Sequence, residues 1–185
     1  MPSFPVRPGL EFNFESETFI LILKGLAFNA LVSLAALGAF SVLDQFDEIK
    51  QFNVGSTAAY FNRLSFANFW IFFKQHCIEF PIVEEMTYRL PVSLMITWKF
   101  RLPVGNKDMT KYALWLALII PTWFFASTHD PFQFPVLISG LTFGWLIIKT
   151  KPSWPWPAVI CHSLANLSIY VVVKILQMAG YAPIN

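Results

Sequence analysis

Long apolar runs alternate with short polar segments along most of the chain. Four of these runs contain few charged residues. As helices, with a rise of about 1.5 Å per residue, they are long enough to cross most or all of a bilayer. They cover residues 19–43, 112–128, 132–148 and 157–178. The pattern therefore predicts four membrane-spanning helices from these runs alone.

A fifth apolar region, residues 66–98, is too long for one ordinary span, because it would extend about 50 Å as a continuous helix. Pro81 and Pro91 lie inside it, and a proline removes a backbone donor and kinks or breaks a helix. We predict an interfacial or kinked helix up to Phe80, followed by a membrane helix. The predicted fold class is all-α: a polytopic membrane helix bundle with about five transmembrane helices plus that interfacial or kinked helix.

The polar segments indicate the domain organisation. We predict a single membrane-embedded domain over residues 1–185, in which residues 1–18 are irregular and residues 44–65 form a polar connection. The part that carries the candidate chemistry is expected to be a core over residues 81–167. Residues 99–111 hold four Lys or Arg, so this loop is expected on the cytoplasmic side of the membrane.

Composition agrees with lipid as the solvent for much of the surface. The chain is 56% hydrophobic and only 13% charged, with a mean hydropathy of +0.54, whereas a soluble domain carries about 25% charged residues. These values predict an integral membrane protein, located in the cell membrane if the source is bacterial, with membrane lipid as a partner. The net charge of +2 and the lack of a Lys/Arg run argue against nucleic-acid binding.

Small residues in the apolar runs suggest close packing rather than chemistry. Cys77 and Cys161 are expected to be buried and unpaired, because they form no C-x-x-C motif. Gly140 and Gly144 form G-x-x-x-G, which is a weak signal for close approach of two helices.

Three charged residues stand within six positions in the second half of the fifth apolar region, where a lipid-facing charge would cost several kcal/mol. Glu85 and Arg89 are four residues apart and share a helix face, so they are expected to form an ion pair. Glu84 points about 100° away from that face and is the freer base. A buried Glu85–Arg89 clamp with no catalytic role is an equally good reading of that pair.

The other candidate site residues in apolar runs are two histidines and an asparagine. His129 stands at the end of the third run, and His162 and Asn166 lie four residues apart in the last run, projecting to one side. Each alone could be a solvated helix end or a helix–helix hydrogen bond. Together with Glu84 they are suited to activate water and stabilise an oxyanion. Glu84, His129 and His162 are also a candidate Zn²⁺ set, although the helical H-E-x-x-H motif is absent.

Three short motifs in chain order give the chain a family resemblance. They are Glu84-Glu85-x-x-x-Arg89, Phe125-x-x-x-His129 and His162-x-x-x-Asn166. This order, with each motif in an apolar segment, resembles the CPBP family of CAAX proteases and bacteriocin-processing enzymes, also called the Abi family. The resemblance covers about residues 81–167.

The resemblance implies an α-helical intramembrane endopeptidase. Under it, Glu84 activates the attacking water, His129 and His162 are the two motif histidines, and Asn166 is an oxyanion donor. Phe125 shapes the pocket. Glu85 belongs to the same catalytic motif, and Arg89 is its binding partner. The family has been described both as glutamate-dependent and as metal-dependent, so Zn²⁺ is the cofactor that the resemblance leaves open.

The predicted function is thus hydrolysis of a peptide bond in a peptide or protein substrate, either CAAX-type and lipidated or similar to bacteriocin precursors. Two alternatives stay open at this point. The chain could be a non-catalytic membrane scaffold or immunity protein, or a small-solute transporter that uses the polar cluster. Geometry separates these readings: a peptidase requires Glu84, His129 and His162 to face one shared site.

Overall fold

The computed structural model describes residues 16–43, 69–129, 133–150 and 155–178. The described elements are helical except for one short hairpin. They are, in chain order, α1 (Ser16–Leu43), α2 (Phe69–Phe72), a π-helical segment (Phe73–Glu79), α3 (Phe80–Tyr88), α4 (Leu90–Thr97), β1 (Pro103–Val104), β2 (Lys107–Asp108), α5 (Thr110–Ser127), α6 (Gln133–Thr150) and α7 (Trp156–Met178).

The all-α class is confirmed, and each predicted run corresponds to helix within a few residues. Helix α1 begins at Ser16, so the end of the predicted irregular segment 1–18 is helical. Residues 1–15 and the predicted connection 44–65 lie outside the described residues. Within the described ranges, no helix combines the length and the apolar character needed to cross a membrane. The five predicted spans are therefore confirmed as helices, and their crossing of a bilayer is not.

The long region before residue 98 changes at the predicted boundary and breaks again further on. The π-helical segment passes into α3 at Phe80, and the chain stays helical through Pro81, the second residue of α3. The break lies at Arg89, with φ −103° and ψ −4°. Pro91 follows two residues later and cannot donate to the carbonyl four residues before it. The predicted boundary at Phe80 coincides with the change from π-helix to α-helix, and the second break, which was not predicted, falls directly beside the charged cluster.

The predicted loop 99–111 contains a small antiparallel hairpin that the sequence reading missed. Gly105 has φ +58° in the turn, a conformation that favours glycine. Arg101 Nη1 lies 3.1 Å from Asp108 Oδ2 on the solvent-exposed side of the hairpin. Hydrogen bonds from Thr110 hold the pKa of the Asp108 carboxyl below its usual range.

The core lies where α1, α6 and α7 meet. Its close packing depends on Gly25 of α1, where an added Cβ would lie 3.2 Å from Cys161 Sγ and 3.3 Å from Leu146 Cδ1. Both cysteines are buried and free, as predicted. The buried residues of this core are Ile22, Val92, Phe143, Leu146, Ile147, Ala158 and Cys161.

The two glycines of the G-x-x-x-G motif bring α6 against α5, which confirms the packing signal. A Cβ at Gly144 would overlap the side chain of Leu118, and a Cβ at Gly140 would lie 2.7 Å from Thr122 Cγ2. Leu118 and Thr122 are fully buried, so neither can swing out to make room.

Gly144→Ala is expected to lower the free energy of unfolding by about 1–3 kcal/mol, the usual cost of overpacking a filled core. Leu118→Ala removes the atoms that the new methyl group would meet. The double variant is therefore expected to lose less free energy of unfolding than the two single losses added together. Thermal unfolding of the three variants in the same detergent measures this coupling. Strict additivity of the two effects would contradict the contact.

Candidate active site

A buried ion pair lies where α3 ends and α4 begins. Arg89 Nε is 3.2 Å from Glu85 Oε2, and both side chains are 1% exposed. The two residues are four apart, so the helical repeat places them together, which confirms the predicted pair. Since water does not reach either charge, each depends on its protein partners for compensation.

The Arg89 guanidinium has further contacts on α5 and α6. Its Nη1 donates a 2.9 Å hydrogen bond to Thr122 Oγ1, and its Cζ lies 5.8 Å from the centre of the Phe125 ring. A Cβ at Gly140 would lie 2.8 Å from Arg89 Nη2, so the glycine leaves room for the guanidinium. Sequence reasoning missed Thr122, whose one signal is a hydroxyl in an apolar run.

His162 on α7 approaches both glutamates of α3. Its Nδ1 lies 3.0 Å from Glu85 Oε1, and its Nε2 lies 3.6 Å from Glu84 Oε2. Glu85 thus uses one carboxylate oxygen for His162 and the other for Arg89. A carboxylate at Nδ1 favours a proton on that nitrogen, which fixes the orientation of the ring and leaves Nε2 toward Glu84.

The two adjacent glutamates have different environments. The Glu84 side chain is 24% exposed, whereas that of Glu85 is 1% exposed. Arg89 pairs with Glu85 and not with Glu84. Glu84 is therefore the carboxylate that an incoming molecule can reach, as the helical geometry predicted.

Two phenylalanine rings hold the imidazole of His162. Phe143 on α6 stacks on it, with ring centroids 4.7 Å apart and planes inclined by 17°. Phe125 on α5 meets it edge-on at 6.1 Å. Phe125 was a predicted pocket residue, but α6 carried no predicted site residue. Phe143 was missed because a phenylalanine in an apolar run has no separate signal.

His129 lies at the end of α5, beside the same Phe125 ring. The ring centroids are 4.6 Å apart, and His129 Nδ1 is 2.9 Å from the Phe125 carbonyl oxygen. The carbonyl can only accept, so Nδ1 carries the proton and Nε2 is left as an acceptor. His129 also lies close enough to Glu84 for the two side chains to interact electrostatically. The structure thus brings His129 to the site by way of Phe125.

Asn166 lies one turn beyond His162 on α7. Its Nδ2 donates a 2.7 Å hydrogen bond to the backbone carbonyl of His76, in the π-helical segment. In the i→i−5 register of the π-helix, the donor to this carbonyl would be residue 81, which is Pro81 and has no N–H. Asn166 therefore ties α7 to the helical stretch that carries the glutamates, and its amide retains a second N–H.

The suggested metal ligands do not come together as a cluster. In the part of the chain that the structure describes, no group of three or more His, Cys, Asp or Glu side chains could hold a metal ion. Glu84, His129 and His162 are included in that statement. The Nδ1 atoms of both histidines face oxygen atoms of the protein, which leaves the Nε2 atoms as the nitrogens open to a ligand. The described residues thus show no assembled Zn²⁺ cluster.

Fold and site define a helical protein with a charged Glu–Arg–His cluster buried between four helices. The sequence model of the family described as Type II CAAX prenyl endopeptidase Rce1-like matches residues 66–168. The chain belongs to this family, which confirms the predicted resemblance to CAAX proteases. No curated protein and no solved structure matches the chain.

Proposed function

We propose that this protein is an intramembrane endopeptidase that cleaves a prenylated, CAAX-type peptide by water activated at Glu84. One observation carries the proposal: a single imidazole, His162, lies between the accessible carboxylate of Glu84 and the buried carboxylate of Glu85. The family match supports the reaction class, since its members are described as prenyl endopeptidases.

The surface of α5 supports a location within lipid. Along this helix, one face packs against α6, and the opposite face presents large apolar side chains to the outside. Exposed apolar patches of this extent mark a membrane or a partner surface. The exposed residues are Tyr112, Trp115, Leu116, Ile119, Ile120, Trp123 and Phe124.

The proposed chemistry requires Glu84 as the base and Nε2–H of His162 as a donor directed toward it. On the other side of the imidazole, Nδ1 faces Glu85, and Glu85 in turn pairs with Arg89. The buried carboxylate is thus engaged by two partners, and Glu84 is left for the reaction.

The gap between Glu84 and His162 suits the attacking water. A distance of 3.6 Å between Glu84 Oε2 and His162 Nε2 is too long for a direct hydrogen bond and allows a water bound to both. Such a water is already in contact with its base before substrate binds, which favours attack.

Hydrolysis then follows in two steps. Glu84 takes one proton from the water while the water oxygen bonds to the scissile carbonyl carbon. The electron pair of the carbonyl double bond moves onto the carbonyl oxygen. Nε2–H of His162 donates to that oxyanion. When the carbonyl re-forms, the C–N bond breaks and Glu84 passes its proton to the leaving nitrogen. The products are a carboxylic acid and an amine.

The other motif residues act around this pair. His129 Nε2 accepts a hydrogen bond from the water or substrate, since its Nδ1 is engaged by the Phe125 carbonyl. We assign the second amide N–H of Asn166 to the oxyanion, since the first is engaged by the His76 carbonyl. Phe125 contacts both histidine rings and so fixes their relative position.

The direct test uses purified protein in nanodiscs with a prenylated CAAX peptide and its unprenylated counterpart, each with and without chelator. Cleavage of the prenylated peptide that persists with chelator is expected, because the described ligands form no metal cluster. Cleavage that is lost with chelator and restored by Zn²⁺ would overturn the proposed mechanism. Cleavage of neither peptide by folded protein would favour a scaffold or transporter instead.

Phe143→Leu is expected to lower kcat roughly ten- to a hundredfold, because the imidazole loses the flat surface that fixes its plane. Leu146→Ala, at a fully buried position on the same helix, is the matched control. It removes core volume without touching His162, so it is expected to lower the unfolding temperature and leave kcat near the wild-type value. Equal loss of kcat in both variants would assign Phe143 a general packing role.

A further inference from the structure

The hairpin segment between α4 and α5 (residues 98–111) has two chemically different faces. Val104 is paired across the strands with Lys107, and Pro103 with Asp108. Paired residues place their side chains on the same face, and neighbours along a strand place theirs on opposite faces. One face therefore carries Val104 and Lys107, and the other carries Pro103 and Asp108.

Apolar side chains are exposed at every second position on the approach to the turn. Trp98 is 68% exposed, Phe100 40%, Leu102 37% and Val104 57%. Leu102 is two residues from Val104 along the extended chain and so shares its face. These four large apolar side chains, the apolar edge of the segment, lie within seven residues, and each is at least 37% exposed in the described structure.

The same segment is basic. Residues 98–111 contain four Lys or Arg and one Asp, a net charge of +3. Asp108 is already paired with Arg101. Lys99, Lys107 and Lys111 are exposed and provide the excess positive charge.

We infer that the hairpin segment is a docking surface for anionic phospholipids, with its apolar edge at the acyl boundary and its lysines against phosphate groups. This inference rests on the membrane location in the proposed function. A lipid surface offers an apolar layer directly beneath a negatively charged one, which matches exposed aromatic residues alternating with lysines. The outward face of α5, which begins at Tyr112 and Trp115 directly after this segment in the chain, is apolar and exposed as well.

The orientation of the hairpin can be measured with spin labels in the full chain in nanodiscs. Val104→Cys reports on the apolar face and Pro103→Cys, its neighbour, on the opposite face. Leu116→Cys on the outward face of α5 reports on membrane location itself. The background is Cys77→Ala with Cys161→Ala, because both native cysteines are free and buried.

The expected result is a ratio of oxygen to aqueous-nickel accessibility severalfold higher at Val104 than at Pro103. This difference is expected to grow when phosphatidylglycerol is added to phosphatidylcholine. Replacing Lys99, Lys107 and Lys111 with Gln is expected to abolish that growth, since each lysine contributes to attraction by the anionic surface.

Several outcomes overturn the inference, and they are distinguishable. Equal aqueous exposure at Val104 and Pro103, with Leu116 in lipid, rejects lipid docking and leaves the membrane location intact. Aqueous exposure at Leu116 as well rejects the membrane location. An accessibility ratio at Val104 that does not change when phosphatidylglycerol is added rejects the role of the lysines. A Val104 signal that responds to the CAAX peptide and not to lipid assigns the surface to a protein partner.

Discussion

Glu84→Gln is expected to reduce kcat on a prenylated CAAX peptide by roughly 10²–10⁴-fold, the usual contribution of a general base. The amide has the size of the carboxylate but cannot accept the proton of the attacking water. Glu84 is partly exposed and makes no ion pair with Arg89, so its replacement is expected to leave the unfolding temperature close to that of the wild type. Steady-state cleavage and thermal unfolding of one preparation in nanodiscs measure both effects.

Glu79→Gln is the matched control for this substitution. Glu79 lies on the same continuous helical stretch, 48% exposed and 3.5 Å from Lys74 Nζ. Its replacement removes a carboxylate at a similar position in sequence without touching His162, and activity is expected to stay near the wild-type value. Wild-type turnover by the Glu84→Gln variant would refute the assignment of the base. Equal losses at both positions would indicate a general charge effect.

Arg89→Met is expected to lower the free energy of unfolding by about 3–5 kcal/mol, because it leaves the fully buried Glu85 without its strongest partner. It also removes the Nη1–H group that donates a hydrogen bond to the Thr122 hydroxyl. Adding Glu85→Gln removes the unpaired charge, so the double variant is expected to recover most of the loss. Equilibrium unfolding in one detergent, over the two single variants and the double variant, measures the coupling directly.

Arg101→Met provides the comparison for this result. Arg101 also pairs with a carboxylate, that of Asp108, but both side chains are more than half exposed. Water compensates such charges when a partner is lost, so no measurable shift in unfolding temperature is expected. A small effect at Arg89, similar to that at Arg101, would mean that water reaches the Glu85 carboxylate.

The local parts of this site followed from the sequence. The Glu85–Arg89 pair depends only on the helical repeat over four residues, and that repeat holds even though the helix breaks at Arg89. The greater accessibility of Glu84 followed from the same geometry, because adjacent residues point about 100° apart. The order of the three motifs was sufficient to indicate the family.

The bend in the glutamate-bearing region was not predictable from prolines alone. Pro81 and Pro91 both looked able to break the helix. Pro81 lies where the π-helix changes to α-helix and the helix continues, whereas Pro91 follows the break at Arg89. Which proline accompanies a break depends on the helical register on each side of it, and packing sets that register.

What the sequence by itself determined is the helical class, the approximate bounds of the helices and the residues that carry charge into apolar surroundings. These follow from hydrophobic runs and helical spacing, which are local properties. The contact between His162 and Glu85, 77 residues apart, was decided by tertiary structure. So were the stacking of Phe143 and the attachment of Asn166 to the His76 carbonyl. Such contacts depend on how closely glycines let helices approach and how each helix is rotated, and no local pattern encodes those quantities.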